Sequence, residues 1–177
     1  PWAIPMLFRW NWPMVRFLLL AITLLVPLSV QASTVKSALP GAELRGVATF
    51  RYVGFPLYEA RLFTTSGAPL DWSKDFGLEL KYLRSLSEYD LVEGTMRELK
   101  RTGVALPLRR QLEKCYNDVR KGDRYTAVSK GQNQIGFWHN GKRVCTLRHP
   151  QIKARFMAVF LGKNTRSKSF TPKLRGE

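Results

Sequence analysis

Residues 125–147, YTAVSKGQNQIGFWHNGKRVCTL, decide the fold class. Three short β-prone runs, Tyr125 to Ser129, Gln134 to His139 and Arg143 to Leu147, follow one another with no helical stretch between them. The second junction is Asn140-Gly141, the strongest short hairpin signal, because both residues tolerate the positive φ of a type I′ turn. The segment reads as an antiparallel meander.

Working outward, the spacing predicts more strands upstream and helices around them. Gly46 to Thr64 alternates around Phe50, Tyr52, Phe55, Leu57, Tyr58, Leu62 and Phe63 and reads as two strands joined or bent at Gly54. Phe76 to Leu83 alternates with period two, placing Phe76, Leu78, Leu80 and Tyr82 on one face and Glu79 and Lys81 on the other. At Ser87 a helix begins, with Asp90 three residues on completing a capping box. Leu91, Val92, Met96 and Leu99 share its inner face, and Gly103 closes it. A second helix follows Pro107, with Leu108, Leu112, Cys115 and Tyr116 inward, and ends before Lys121-Gly122-Asp123. A closing helix has Pro150 at its first position, with Ile152, Phe156, Val159 and Phe160 inward. Its end is Gly162, and the basic tail from Lys163 reads as loosely held or as a short final helix. Strands grouped in runs predict an α+β domain with an antiparallel sheet and helices on one face.

Residues 1–32 read as a cleavable export signal. Arg9 and Arg16 are their only charges, an apolar run extends from Phe17 to Val26, and Val30-Gln31-Ala32 places small residues where a signal peptidase reads. The run falls short of the ~20 residues that a spanning helix needs. Cleavage after Ala32 predicts a periplasmic or secreted protein with no stable transmembrane span. An uncleaved anchor is the alternative, with Trp2, Trp10 and Trp12 at the membrane interface.

Cleavage leaves 27 basic against 13 acidic residues, or +14. That charge attracts anions at long range. Outside the cytosol it points away from nucleic acid and towards anionic envelope lipids, anionic glycans or an acidic small ligand. Cys115 and Cys145 would enter an oxidising compartment, where either a disulfide or two buried thiols is expected. His139 and His149 are the only histidines, and no ligand set has metal spacing, so neither metal nor cofactor is expected.

No nucleophile elbow, phosphate loop or dinucleotide fingerprint occurs. Chemistry therefore falls to arginine and tyrosine. Arg45, Arg51 and Arg61 lie near Phe50, Tyr52 and Tyr58, and a guanidinium among aromatics grips a carboxylate or phenolate attached to an apolar body. The bland alternative places these arginines on the outward faces of two strands.

Gly54-Phe55-Pro56-Leu57-Tyr58-Glu59-Ala60-Arg61-Leu62, followed by Leu78-Glu79-Leu80-Lys81-Tyr82-Leu83-Arg84, resembles the opening strands of bacterial, exported chalcone isomerase-like domains. Glu98-Leu99-Lys100-Arg101-Thr102-Gly103, Asp118 to Asp123, the Asn140-Gly141 turn, and Phe156 to Gly162 with Thr165 agree in order. The resemblance spans residues 46–170, after a lead-in of residues 33–45 and before a basic tail of residues 171–177. It implies an open-faced β-sandwich, in which a large antiparallel sheet carries a layer of helices with a ligand cleft between them.

Plant enzymes of that family close a chalcone into a flavanone, holding the phenolate with an arginine and the developing enolate with hydrogen-bond donors. By resemblance Arg45 stands for that arginine, Arg51 or Tyr52 takes the place of a strand threonine, and Tyr89 approximates the helix tyrosine. Asp90 and Gly94 fall where the family has lysine and asparagine, and Val159 falls at a polar position, so most of the donor network is missing. Relatives without that network resemble fatty-acid binders that hold a carboxylate with an arginine and a tyrosine spaced as Arg45 and Tyr58 are. The first expectation is thus a non-catalytic binder of a small apolar or amphipathic anionic ligand, with Arg45, Tyr58 and Tyr52 at its polar end. An intramolecular lyase or isomerase using Arg45, Arg51 or Tyr89 on a conjugated phenolic compound is the second. A structural or interaction protein of the cell envelope, working through its basic face, is the third.

Overall fold

Alternation sets the two faces of the sheet. In the computed structural model, which describes residues 33–103 and 105–177, six strands pair antiparallel in simple sequence order. They are β1 (Ala42–Tyr52), β2 (Phe55–Thr65), β3 (Gly77–Tyr82), β4 (Arg124–Ser129), β5 (Gln134–His139) and β6 (Lys142–Arg148). The expected export signal lies outside the described residues.

Tyr58, Ala60 and Leu62 of β2 pair with Tyr82, Leu80 and Leu78 of β3, and Leu80 and Leu78 pair in turn with Tyr125 and Ala127 of β4. Because the side-chain period is two, these residues share one face. Helices cover that face: α2 (Glu88–Arg101), α3 (Arg109–Cys115), α4 (Ile152–Leu161) and α5 (Phe170–Arg175). The result is the α+β arrangement expected, a large antiparallel sheet with one layer of helices.

Local chemistry explains where the helices begin and end. Ser87 and Asp90 bond each other's backbone amides, so two otherwise orphaned donors of α2 are satisfied. Between β3 and β4 the chain leaves the sheet to build α2 and α3, and a bridge between Leu86 and Val119 closes the base of this excursion. Two strands far apart in sequence thereby remain neighbours.

Several details depart from the sequence expectation. A short helix, α1 (Thr34–Ala38), packs on the opposite face of the sheet, where Val35 joins Ala42, Phe63 and Val128 in a second small core. The first strand starts at Ala42, four residues before Gly46, and the tail folds into α5 with Leu174 fully buried. Gly46 makes the α5 contact feasible, since a Cβ there would collide with the backbone of Leu174 and Lys173. Pro150 does not open α4: Gln151 intervenes as its cap, with φ of 57°. Its amide is held by Asn133 Oδ1 at 2.8 Å, a bond that fixes the turn at the cost of a left-handed residue.

Cys115 at the end of α3 is bonded to Cys145 in β6, across 30 residues of chain. Closing a loop of that length removes conformational freedom from the unfolded chain worth about 3–4 kcal/mol. Replacing both cysteines with serine should lower the unfolding free energy by about that amount, read as a lowered urea midpoint with a slope that rises, because the unlinked denatured chain exposes more surface. A midpoint unchanged between reduced and oxidised protein would contradict the bond.

Candidate functional site

Between the sheet and the helices lies a space walled by aromatic rings. Tyr82, Tyr125 and Phe137 rise from the sheet, Tyr116 follows α3, and Phe156 and Phe160 descend from α4. Its free volume is about 20 Å³. A water needs roughly 10–15 Å³ and a drug-sized ligand roughly 300–1,000 Å³. The space as it stands therefore admits about one water.

Edge-to-face packing closes it. Tyr116 meets Tyr125 at 5.4 Å and Phe137 at 6.1 Å, and Phe137 meets Phe156 at 5.4 Å between ring centres. The expected open hollow is thus corrected to a nearly filled seam, because six rings interlock where smaller residues would leave room.

Hydroxyl groups punctuate this apolar wall. Tyr116 Oη lies 3.2 Å from Thr95 Oγ1, and Tyr125 Oη accepts from the Asn117 amide at 2.8 Å. Among the described residues, no hydrogen bond reaches the hydroxyl of Tyr58 or Tyr82. Burial raises the pKa of both above the ordinary tyrosine value and pushes Tyr116 up to about 12. For Tyr58 the charge of Arg166 works against burial and that of Glu98 works with it.

Arg166 and Glu98 belong to a polar cluster at the Tyr58 end of the seam. The Arg166 guanidinium sits 4.7 Å from the Phe50 ring centre and 6.0 Å from that of Tyr52. Phe50 in turn stacks on Tyr58 at 5.2 Å. Glu98, only 3% exposed, lies 3.1 Å from Arg166 Nε through one carboxylate oxygen and 2.8 Å from Arg101 Nε through the other. Two guanidiniums against one carboxylate leave a surplus positive charge beside the unpartnered Tyr58 hydroxyl. Beyond Arg101 an open depression of about 560 Å³ continues outward, its lining including Lys163, Lys168 and Arg175.

The residues singled out by the sequence are scattered by the fold. Tyr58 reaches the seam, but Arg45 does not accompany it. Tyr58 pairs with Phe50, and Arg45 sits five residues further along β1 at a bulge, roughly 16 Å away at about 3.3 Å per residue. Its guanidinium donates to the carbonyls of Arg175 at 2.9 Å and Gly176 at 3.0 Å, capping the end of α5. Arg51 donates to the Gly54 carbonyl at 3.2 Å on the outside of the β1–β2 hairpin. Tyr52 lies under Arg166 and half in solvent, and Tyr89 is 70% exposed in the first turn of α2. The three residues considered for catalysis therefore do not converge.

Arg166 and Glu98 were missed by sequence reasoning. For Glu98 a signal existed, since it stands seven residues after Leu91 on the inner face of α2, with Arg101 three residues beyond it. Arg166 gave none, because it belongs to a loop whose course depends on α5 docking.

No family model matches the chain, and no curated protein does. Among solved structures, a fatty-acid binding protein of Arabidopsis thaliana is similar, with a TM-score of 0.58 at 10% identity, over 77% of this chain and 88% of that one. The likeness bears out the chalcone isomerase-like fold.

Replacing Arg45 with methionine should loosen α5 while leaving the seam intact. Hydrogen exchange should then speed up selectively over residues 170–176, and exchange unchanged there would show that the cap carries no weight. Alkaline pH tests the buried phenols. Their folded-state pKa values lie above an unfolded value of about 10, so the stability they contribute is whole below that pH. It is lost as pH climbs from about 10 towards the 12 of Tyr116. A stability curve that stays flat through this window would contradict their burial.

Proposed function

We propose that this chain is a non-catalytic binding protein for an apolar or amphipathic anionic small molecule of fatty-acid type, acting after export. The observation that carries the reading is the Tyr58 hydroxyl, unpartnered among the described residues and set beside the surplus charge of the Arg101–Glu98–Arg166 cluster. Behind it runs an aromatic seam with no charge in its lining. A carboxylate at that point would accept from the phenol and face a guanidinium, while its apolar body displaced ring contacts that cost little to exchange for alkyl ones. The solved structure of similar fold is described as a fatty-acid binding protein, which supports the same reading.

Binding requires room that the closed seam lacks, so α4 must move outward with Phe156 and Phe160. The affinity is then reduced by the fraction of molecules in the open state. The bond between Cys115 and Cys145 supports the export part of the proposal, because such bonds persist in oxidising compartments. An isomerase is disfavoured by the separation of Arg45, Arg51 and Tyr89. A protein of the envelope that works without any ligand is the second reading, and the observation favouring it is the seam volume of about 20 Å³.

Displacement of a fluorescent fatty acid from the purified protein decides between them. The parent protein should bind the probe, and lipid should co-purify in native mass spectra. Arg166→Ala should weaken binding about tenfold, as loss of a charge-assisted hydrogen bond does, and Tyr58→Phe by somewhat less. A protein that carries no lipid and ignores the probe would establish the second reading instead.

A further inference from the structure

Two hairpins in this molecule share a turn geometry and differ in the residue that forms it. Between β5 and β6, Asn140 and Gly141 have φ of 49° and 81°; between β1 and β2, Val53 and Gly54 have φ of 49° and 81°. Asparagine followed by glycine is the pair that this turn favours. Valine is a poor substitute, since a β-branched side chain at positive φ crowds its own backbone.

Burial of Val53 does not offset that strain. Val53 is 77% exposed, so the strained residue gains almost no burial. Beside it on the same tip, Tyr52 is 51% and Phe55 61% exposed. Three large apolar side chains thus project together at the end of one hairpin, where polar turn residues would serve folding better. Strain kept without a folding benefit marks positions held for another purpose.

Positive charge surrounds the tip. Arg51 donates to the Gly54 carbonyl at 3.2 Å, Arg84 lies 5.4 Å from the Phe55 ring centre, and Arg166 lies 6.0 Å from that of Tyr52. Among the described residues, neither Arg51 nor Arg84 has a carboxylate partner. Apolar and aromatic side chains encircled by guanidiniums match the depth profile of an anionic bilayer, with hydrocarbon beneath, an interfacial zone for aromatics, and phosphates above.

We propose that the β1–β2 hairpin tip docks this protein onto an anionic phospholipid surface, with Val53, Tyr52 and Phe55 entering the interface and Arg51 and Arg84 meeting lipid phosphates. The net charge of +14 left after cleavage, 27 basic against 13 acidic residues, steers the same approach from a distance. This docking stands whether or not the seam takes a ligand. Where it does, Tyr58 lies next to Phe50 on the same hairpin, and the docked protein holds its polar end close to the lipid.

Hydrogen exchange of the full chain, with vesicles of equal phosphatidylglycerol and phosphatidylcholine, tests the proposal at the tip itself. Peptides covering residues 50–57 should gain protection, less so with pure phosphatidylcholine and less as salt is raised. Val53→Asn should raise the melting temperature, because it gives this turn the residue found at Asn140. The same change should weaken tip protection about fivefold, as loss of a partly inserted apolar side chain does, and should leave fatty-acid probe binding as in the parent.

A tip that vesicles do not protect, or that Val53→Asn leaves equally protected, overturns the proposal. So does a lower melting temperature in that variant, which would show that Val53 is needed for folding. Equal protection by neutral vesicles removes the arginine ring. Protection without lipid that grows with protein concentration would assign the tip to self-association.

Discussion

The structure depends on burying one face of a meandering sheet under helices that a single excursion of the chain and its C-terminal segment supply. Leu78, Leu80 and Tyr82 are placed on that face by alternation alone, and their partners on β2 and β4 follow by register. An antiparallel sheet with one face uncovered would leave this apolar area in water. α2 and α3 answer that requirement between β3 and β4, and α4 and α5 complete it after β6. The aromatic seam is where the two layers meet, and its tight filling reflects how well rings interlock edge to face.

A different constraint governs the end of the seam near Tyr58. Glu98 lies on the buried side of α2, where an unpaired carboxylate would cost several kcal/mol. Two arginines answer it: Arg101, one helical turn on in α2, and Arg166, more than sixty residues away. The second arginine does more than satisfy Glu98, because it also lies over Phe50 and Tyr52 and makes the cluster positive overall. A buried acid required by helix packing thus draws a surplus cation to the place where the apolar seam reaches the surface.

How much of this was legible in the sequence follows from which features are local. Alternation in Phe76 to Leu83, the capping box at Ser87 and the Asn140-Gly141 turn each encode a local conformation, and with the resemblance they were enough for sheet, helices and connectivity. α1 was missed because five residues carry little periodic signal. The Arg45–Tyr58 pairing rested on the family resemblance, matched through spacing along the chain. Strand geometry separates residues thirteen apart across a hairpin unless their register happens to align, and here α5 offered Arg45 nearer acceptors in its terminal carbonyls. Arg166 was illegible for the opposite reason: its loop is placed by the packing of Phe170 and Leu174, a tertiary event with no local code.

The anchoring of the helical layer is uneven, and the unevenness indicates where it can open. At the β6 side, α3 is tied covalently to the sheet through Cys115 and Cys145. Along β1, α5 is held by backbone carbonyls on Arg45 and by the close approach that Gly46 permits. α4 lies between them and is buried through Ile152, Phe156, Met157 and Leu161, with Phe156 meeting Phe137 and Phe160 meeting Tyr58, contacts that are non-directional. Directional bonds hold both of its ends: at the first turn Lys153 Nζ donates to the Lys74 carbonyl at 3.0 Å, and in the last the Phe160 carbonyl accepts from Thr171 Oγ1 at 2.9 Å. Outward motion of α4 must therefore either carry α5 with it or break the bond from Thr171 to Phe160, at the end that leads into the loop carrying Arg166.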